Sequence, residues 1–201
     1  MVDLTRAAER RWNLQGRIWS KSRIARLFIL TMGLAWAARL GGGLRAQSPS
    51  ESEMKAVFLY NFVQFVEWPS ESFSSSTSPI VIGVLGDDSF ADVLERTVED
   101  KTAQGRRFQV KRLEMNGETL RCHLLFISAS ASKVQPGLAK GLKAAQVLTV
   151  AETEGFTQQG GMINFVHPDN KLAFEINRKN AENAGLKISS KLLKLAKTVW
   201  D

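Results

Sequence analysis

The sequence predicts an α/β fold: a single layered domain with a mixed sheet, parallel strands plus a C-terminal antiparallel hairpin, flanked by helices. Three observations carry this. Continuous apolar runs such as IVIGVLG (80–86) and CHLLFIS (122–128) have the character of strands covered on both faces. Stretches with helical spacing alternate with them, the order that builds a parallel sheet through crossovers. The last third changes character: MINFV and KLAFEIN flank His167-Pro168-Asp169-Asn170, which reads as a hairpin turn.

Residues 1–46 stand apart from that fold. Seven basic residues lie between Arg6 and Arg26, followed by the 12-residue apolar run Leu27–Ala38, three glycines and a small-residue end at Leu44-Arg45-Ala46. Basic, apolar and small-residue regions in that order read as a secretory signal peptide. The apolar run falls short of the about 20 residues that a membrane span needs. Cleavage is expected near Ala46, with Ala38 as the alternative. The long basic region suggests a start codon downstream of Met1. The remaining residues, 47–201, make one domain, exported to the periplasm and not inserted in the membrane once the leader is gone.

The leader also accounts for the charge. The chain carries 27 Lys and Arg against 20 Asp and Glu, a formal net charge of +7. Nine of the basic and two of the acidic residues lie before residue 47, leaving 18 of each sign. A neutral domain has no electrostatic footprint for nucleic acid, and DNA or RNA binding is excluded on that ground. About 155 residues suffice to bury a core without staples. Cys122 is the only cysteine, so no intramolecular disulfide can form. At the head of an apolar strand it reads as a buried thiol.

Taken in order, MKAVFLYNFVQFVEWP (54–69) opens the domain as a helix that Pro69 stops. It is apolar almost all round and holds five of the thirteen aromatics beyond residue 46. Such a helix is either core or docked on something else. Leu59, Val63 and Trp68 are the expected partner contacts if part of it is a binding patch. Strand 80–86 follows, then Asp87-Asp88-Ser89 as turn and cap, and a helix to about Lys101 on Phe90, Val93, Leu94 and Val98. Phe108, Val110 and Leu113 alternate with polar residues as a half-exposed strand. Strand 122–128, a helix over roughly Lys133–Lys143 and strand VLTVAE (147–152) come next. After the hairpin, Asn180–Ala184 makes a helical turn stopped by Gly185. A final helix carries Ile188, Leu192, Leu195, Ala196 and Val199 on one face and Lys187, Lys191, Lys194 and Lys197 on another, with Ser189 or Ser190 as its cap. No internal repeat is visible.

No catalytic template fits. HExxH, GxSxG, a P-loop lysine and Cys/His metal spacing are all missing from the sequence, and no catalytic residue, metal or cofactor is predicted. Asp87-Asp88 reads as turn and cap; as an acidic pair at a strand end it is also the place for Mg²⁺ in a phosphoryl-accepting receiver, but CHLLFIS ends in Ser128 where the acceptor aspartate belongs. Gly160, Gly161, Asn164, Glu175 and Asn177 form the candidate wall of a small-ligand pocket.

MKAVFLYNFVQFVEWP, VIGVLGDDSF, CHLLFIS, VLTVAE, GFTQQGGMINF and FEINRKNAENAGLKISSKLLKLA, in this order, resemble the YfiR family of exported bacterial proteins over nearly all of Glu53–Val199. The resemblance implies a periplasmic α/β regulator without catalytic activity. It would bind and hold inactive the periplasmic region of an inner-membrane diguanylate cyclase, or of another membrane sensor such as a histidine kinase. Members of this kind can form homodimers and respond to redox state through cysteine pairs. With Cys122 alone this chain departs from that redox pattern. The alternative is a periplasmic small-ligand binding module that acts without a membrane partner.

Overall fold

A computed structural model describes residues 48–114, 121–131 and 146–201, and contacts gather Pro49–Asp201 into one unit. The elements are α1 (Glu51–Phe65), β1 (Val66–Glu67), β2 (Ile80–Leu85), α2 (Asp88–Val98), β3 (Thr102–Ala103), β4 (Arg106–Leu113), β5 (Leu124–Ile127), β6 (Leu148–Ala151), β7 (Ile163–Val166), β8 (Ala173–Asn177), α3 (Arg178–Asn183), β9 (Lys187–Ile188), α4 (Ser190–Leu193) and β10 (Thr198–Trp200). The helix expected over Lys133–Lys143 lies outside the described residues.

Among the described residues eight strands form one mixed sheet in the order β10-β8-β7-β6-β5-β2-β4-β3. The run β4-β2-β5-β6-β7 is parallel throughout, while β8 returns antiparallel to β7 and pairs in parallel with β10. The hairpin turn expected at 167–170 is present, with Asp169 and Asn170 in the left-handed region (φ 51° and 57°) that Asp and Asn tolerate best. β2, β5 and β6 are buried at every position, as their unbroken apolar runs require.

α1 starts three residues earlier than the apolar pattern suggests, because a capping box sets its first turn. Ser50 Oγ accepts from Glu53 N at 3.2 Å, and Glu53 Oε2 accepts from Ser50 N at 2.6 Å. It also stops short of Trp68. At Val66 the backbone turns extended, and Val66–Glu67 pair antiparallel with Lys187–Ile188 in a two-stranded ribbon, while Phe65 O accepts from Ser189 N at 2.9 Å. Leu59, Phe62 and Val63 are fully buried on one face of the sheet. There Phe62 meets Phe174 edge-on with ring centroids 4.9 Å apart, and Phe58 meets the same ring at 5.5 Å. Burial of each of these three side chains contributes about 1.5–3 kcal/mol. Phe90 of α2 packs on Phe126 from the same side. A second apolar cluster on the sheet's other face includes Leu85, Leu113, Cys122, Leu125 and Ile127.

The C-terminal segment departs from the sequence pattern. The expected long helix is one turn, α4, with Ser189 as its cap (Oγ to Lys191 N, 3.1 Å). Lys197 N then donates to Phe174 O at 2.8 Å, and Thr198–Trp200 joins the sheet edge beside β8. The β-branched and aromatic run Thr-Val-Trp suits a strand, and an open backbone edge on β8 satisfies its hydrogen bonds where a helix end would leave carbonyls bare.

Candidate functional site

In open parallel sheets ligands bind beyond the carboxyl ends of the strands, where the strand order reverses. Here that point lies between β2 and β5, since β4 is added on one side of β2 and all later parallel strands on the other. The chain plugs its own crevice. The turn Ala129–Ala131 folds over it, with the Ser130 hydroxyl donating to the Gly86 carbonyl and Ser128 Oγ 2.7 Å from Ser130 Oγ. Gly86 has φ +86°, and a Cβ there would lie 2.6 Å from Ala131 Cβ and 2.8 Å from Ser128 Oγ. Asp87 spends its carboxylate on the cap of α2, accepting from Phe90 N at 2.9 Å and from the Ser89 hydroxyl at 2.7 Å. Among the described residues no three His, Cys, Asp or Glu side chains converge to hold a metal ion.

A polar chain runs along the same end of the sheet. Lys55 of α1, only 14% exposed, bonds Glu152 at the end of β6 and Glu51 one turn back on its own helix (2.6 Å). Glu152 also accepts from Ala129 N at 3.0 Å, and Glu51 reaches His167 Nε2 at 3.1 Å. Burial alone would lower the Lys55 pKa, but the bonds to Glu152 and Glu51 outweigh it and the ammonium is held above its usual value. The Lys55 bond holds the Glu51 carboxyl below its own usual value. Sequence reasoning missed this network; the signal for it is a lone lysine on an otherwise apolar helix.

At the other end of β2 from the plugged crevice lies an open cleft of about 540 Å³, lined by residues that include Ser72, Ser78, Val81, Arg121, Cys122 and His123. His123 is its structural pivot. Val81 N donates to Nδ1 at 3.0 Å and Nε2 lies 3.1 Å from Ser72 O, so the proton sits on Nε2 and the ring is neutral. The ring stacks on Phe73 (4.5 Å, 17°), and Arg106 covers the Phe73 ring at 3.8 Å. The His123 carbonyl accepts from the Trp68 indole at 3.2 Å. Burial, with Arg106 nearby, keeps the His123 pKa below its ordinary value. Burial also pushes the Cys122 thiol up to about 12.

The residues expected to form sites fall mainly into structural roles. Leu59, Val63 and Trp68 are buried, which corrects their reading as a partner patch: α1 turns that face onto the sheet. Its exposed apolar positions are Met54 and Val57, the latter 47% exposed. Of Gly160, Gly161, Asn164, Glu175 and Asn177, Asn164 stands opposite Glu175 where β7 pairs with β8, and Asn177 N donates to the carbonyl of Met162, next to Gly161. The side-chain amides of Asn164 and Asn177 are nonetheless used internally. Asn164 Oδ1 accepts from Thr153 N (3.2 Å), Asn177 caps α3 at Asn180 N (2.9 Å) and donates to Thr157 O (3.0 Å). Gly161 admits the Phe156 ring, which would sit 2.2 Å from a Cβ. Neither the cleft above nor the groove between α2 and β4 is lined by these residues.

The strand order β4-β2-β5-β6-β7 and its sealed switch point define an open α/β domain of flavodoxin-like order. The chain belongs to the YfiR/HmsC-like family, whose model matches residues 52–197. No curated protein matches it. Among solved structures it is similar to a conserved domain protein from Vibrio cholerae O1 biovar El Tor, at 11% identity and a TM-score of 0.51, over 75% of this chain and 60% of that one. An ABC domain from Streptococcus pneumoniae solved in complex with L-Trp aligns at 13% identity with a TM-score of 0.46, over 59% of this chain and 54% of that one. The chain thus spans little more than half the length of these structures, and at such identities the first likeness shows fold alone. No helix among the described residues is long and apolar enough to cross a membrane.

Proposed function

We propose that the chain is a non-catalytic periplasmic regulator that binds and represses the sensor region of an inner-membrane diguanylate cyclase. Family membership over nearly the whole domain is the observation that carries this reading, and it is consistent with regulation of cyclic-di-GMP signalling in the periplasm. The physical mechanism needs no chemistry. A protein that binds one conformation of a receptor better than another shifts the receptor's population by that difference in affinity. Because Leu59 and Val63 face the core, the contact on α1 falls to Met54 and Val57.

The test compares two substitutions on one helix in cells that carry the regulator and its cyclase. Val57→Glu leaves the domain folded and raises cyclic-di-GMP toward the level of a deletion strain, whereas Leu59→Glu unfolds the domain and raises it for that reason. A deletion that leaves cyclic-di-GMP unchanged refutes the cyclase reading. A folded Val57→Glu variant that still represses fully moves the contact off α1.

A second reading, a periplasmic small-ligand module, draws on the cleft beside His123. Its exposed Arg121 and its serine hydroxyls suit a small anion, and a thermal shift with a panel of carboxylates and phosphates tests it.

A further inference from the structure

The C-terminal edge of the sheet combines features that the regulatory reading does not use. Leu195 is 67% exposed and Trp200 40%, and Val199 is exposed between them. Lys191, Lys194 and Lys197 lie on the same segment of chain, all exposed, and none forms an ion pair among the described residues. The nearest acid in the sequence, Asp201, is held by Arg178 at 2.8 Å. The orientation of the apolar groups narrows what could cover them. Val199 pairs with Ile176, whose side chain is buried on the α1 face, and Trp200 pairs with Asn177 one position on, so the two side chains point to opposite faces of the sheet. A partner laid on either face would reach one of them. A surface that meets the edge strand side-on reaches both, and exposed Leu195 and the three lysines lie on the segment that leads into that strand.

We infer that this edge is a peripheral docking surface for an anionic phospholipid bilayer. Tryptophan and leucine enter the boundary between headgroups and acyl chains, and lysine ammonium groups sit at headgroup level beside acidic lipid. The charges and the apolar groups each contribute, and two weak signals together give a usable, reversible association. Trp200 sits at the boundary without crossing it, since the open backbone edge of β10 must keep its contact with water and headgroups. A regulator held at the membrane in this way searches for a membrane receptor in two dimensions.

The experiment uses the chain recovered from the periplasm, with its N-terminus checked by mass spectrometry. Co-sedimentation is measured with vesicles of phosphatidylglycerol and phosphatidylcholine in equal parts, and with phosphatidylcholine alone. The expected result is binding to the first that falls as salt is raised, with little binding to the second. Lys191→Gln, Lys194→Gln and Lys197→Gln together should lower the partition coefficient about 100-fold. Leu195→Ala with Trp200→Ala should lower it about tenfold while leaving circular dichroism unchanged. Equal binding to both vesicle types, or a triple lysine variant that binds like the parent, overturns the proposal. So does a chain that ignores vesicles but forms dimers lost in the Leu195/Trp200 variant, since the edge is then an interface between copies.

Discussion

His123→Ala is the most informative single substitution in the described structure. The imidazole accepts Val81 N–H, bonds Ser72 O and stacks on Phe73, tying the loop over 70–79 to strand β2. Two hydrogen bonds at about 1 kcal/mol each and a ring stack at about 1 kcal/mol give a loss of about 3 kcal/mol. For a domain of this size that lowers Tm by about 6–12 °C. The pH dependence is the sharper test. A backbone N–H can only donate, so protonating Nδ1 sets two donors against each other, and the folded state holds the His123 pKa below 6.5. The unfolded chain takes up the proton first. The stabilisation is therefore complete above the unfolded pKa and is lost as pH falls from there toward the depressed folded value. Between about pH 7.5 and 5.5 a ring that stays neutral in the fold costs at most about 1.4 kcal/mol, and solvent at the cleft mouth reduces this to about 0.7 kcal/mol. Urea unfolding at both pH values, read by Trp68 fluorescence, should show this loss in the parent and none in His123→Ala. Glu51 and Glu53, with pKa values lowered from 4.5, stay ionised across that window and do not confuse it. A parent whose stability is flat between the two pH values, or an alanine variant with the same slope, refutes the assigned ring state.

Two further outcomes follow from the packing. With its thiol pushed up to about 12, native Cys122 should resist a disulfide reagent at neutral pH and react fully in urea; rapid labelling of the native protein would contradict its burial. Gly161→Ala places a methyl group 2.2 Å from the Phe156 ring, so chemical denaturation should show a loss of about 2 kcal/mol, and a neutral variant would mean that the ring swings clear freely.

The central sheet was legible because its strands are buried on both faces. IVIGVLG, VLTVAE and MINFV leave little choice of structure, and the ends of β2, β6 and β7 fall within about two residues of those runs. Asp87 was legible as a cap because an acid just before an apolar-periodic stretch has few other uses. The C-terminal segment was not. Its spacing fits a helix, but Thr198–Trp200 is claimed by the open edge of β8, a tertiary demand that local periodicity does not encode. The same holds for Val66–Glu67, extended because Lys187–Ile188 waits beside it. The expected ligand wall shows a different failure. Asn164 stands opposite Glu175 in the strand register, yet a polar side chain near a sheet end serves a cap or a loop as readily as a ligand, and the amides of Asn164 and Asn177 go to internal hydrogen bonds.

The ties between the first helix and the last third of the chain bear on how the protein must be made. Phe58 and Phe62 find their aromatic partners in Phe165 and Phe174, and the end of α1 is fastened to Ser189. A chain made from its N-terminus therefore presents Phe58 and Phe62 long before the strands that cover them exist. The sheet cannot be sealed on that side until its final strands arrive. That delay leaves the polypeptide open to holding factors and to threading through a narrow pore, and it also makes α1 the segment most exposed to aggregation while the rest is still being synthesised.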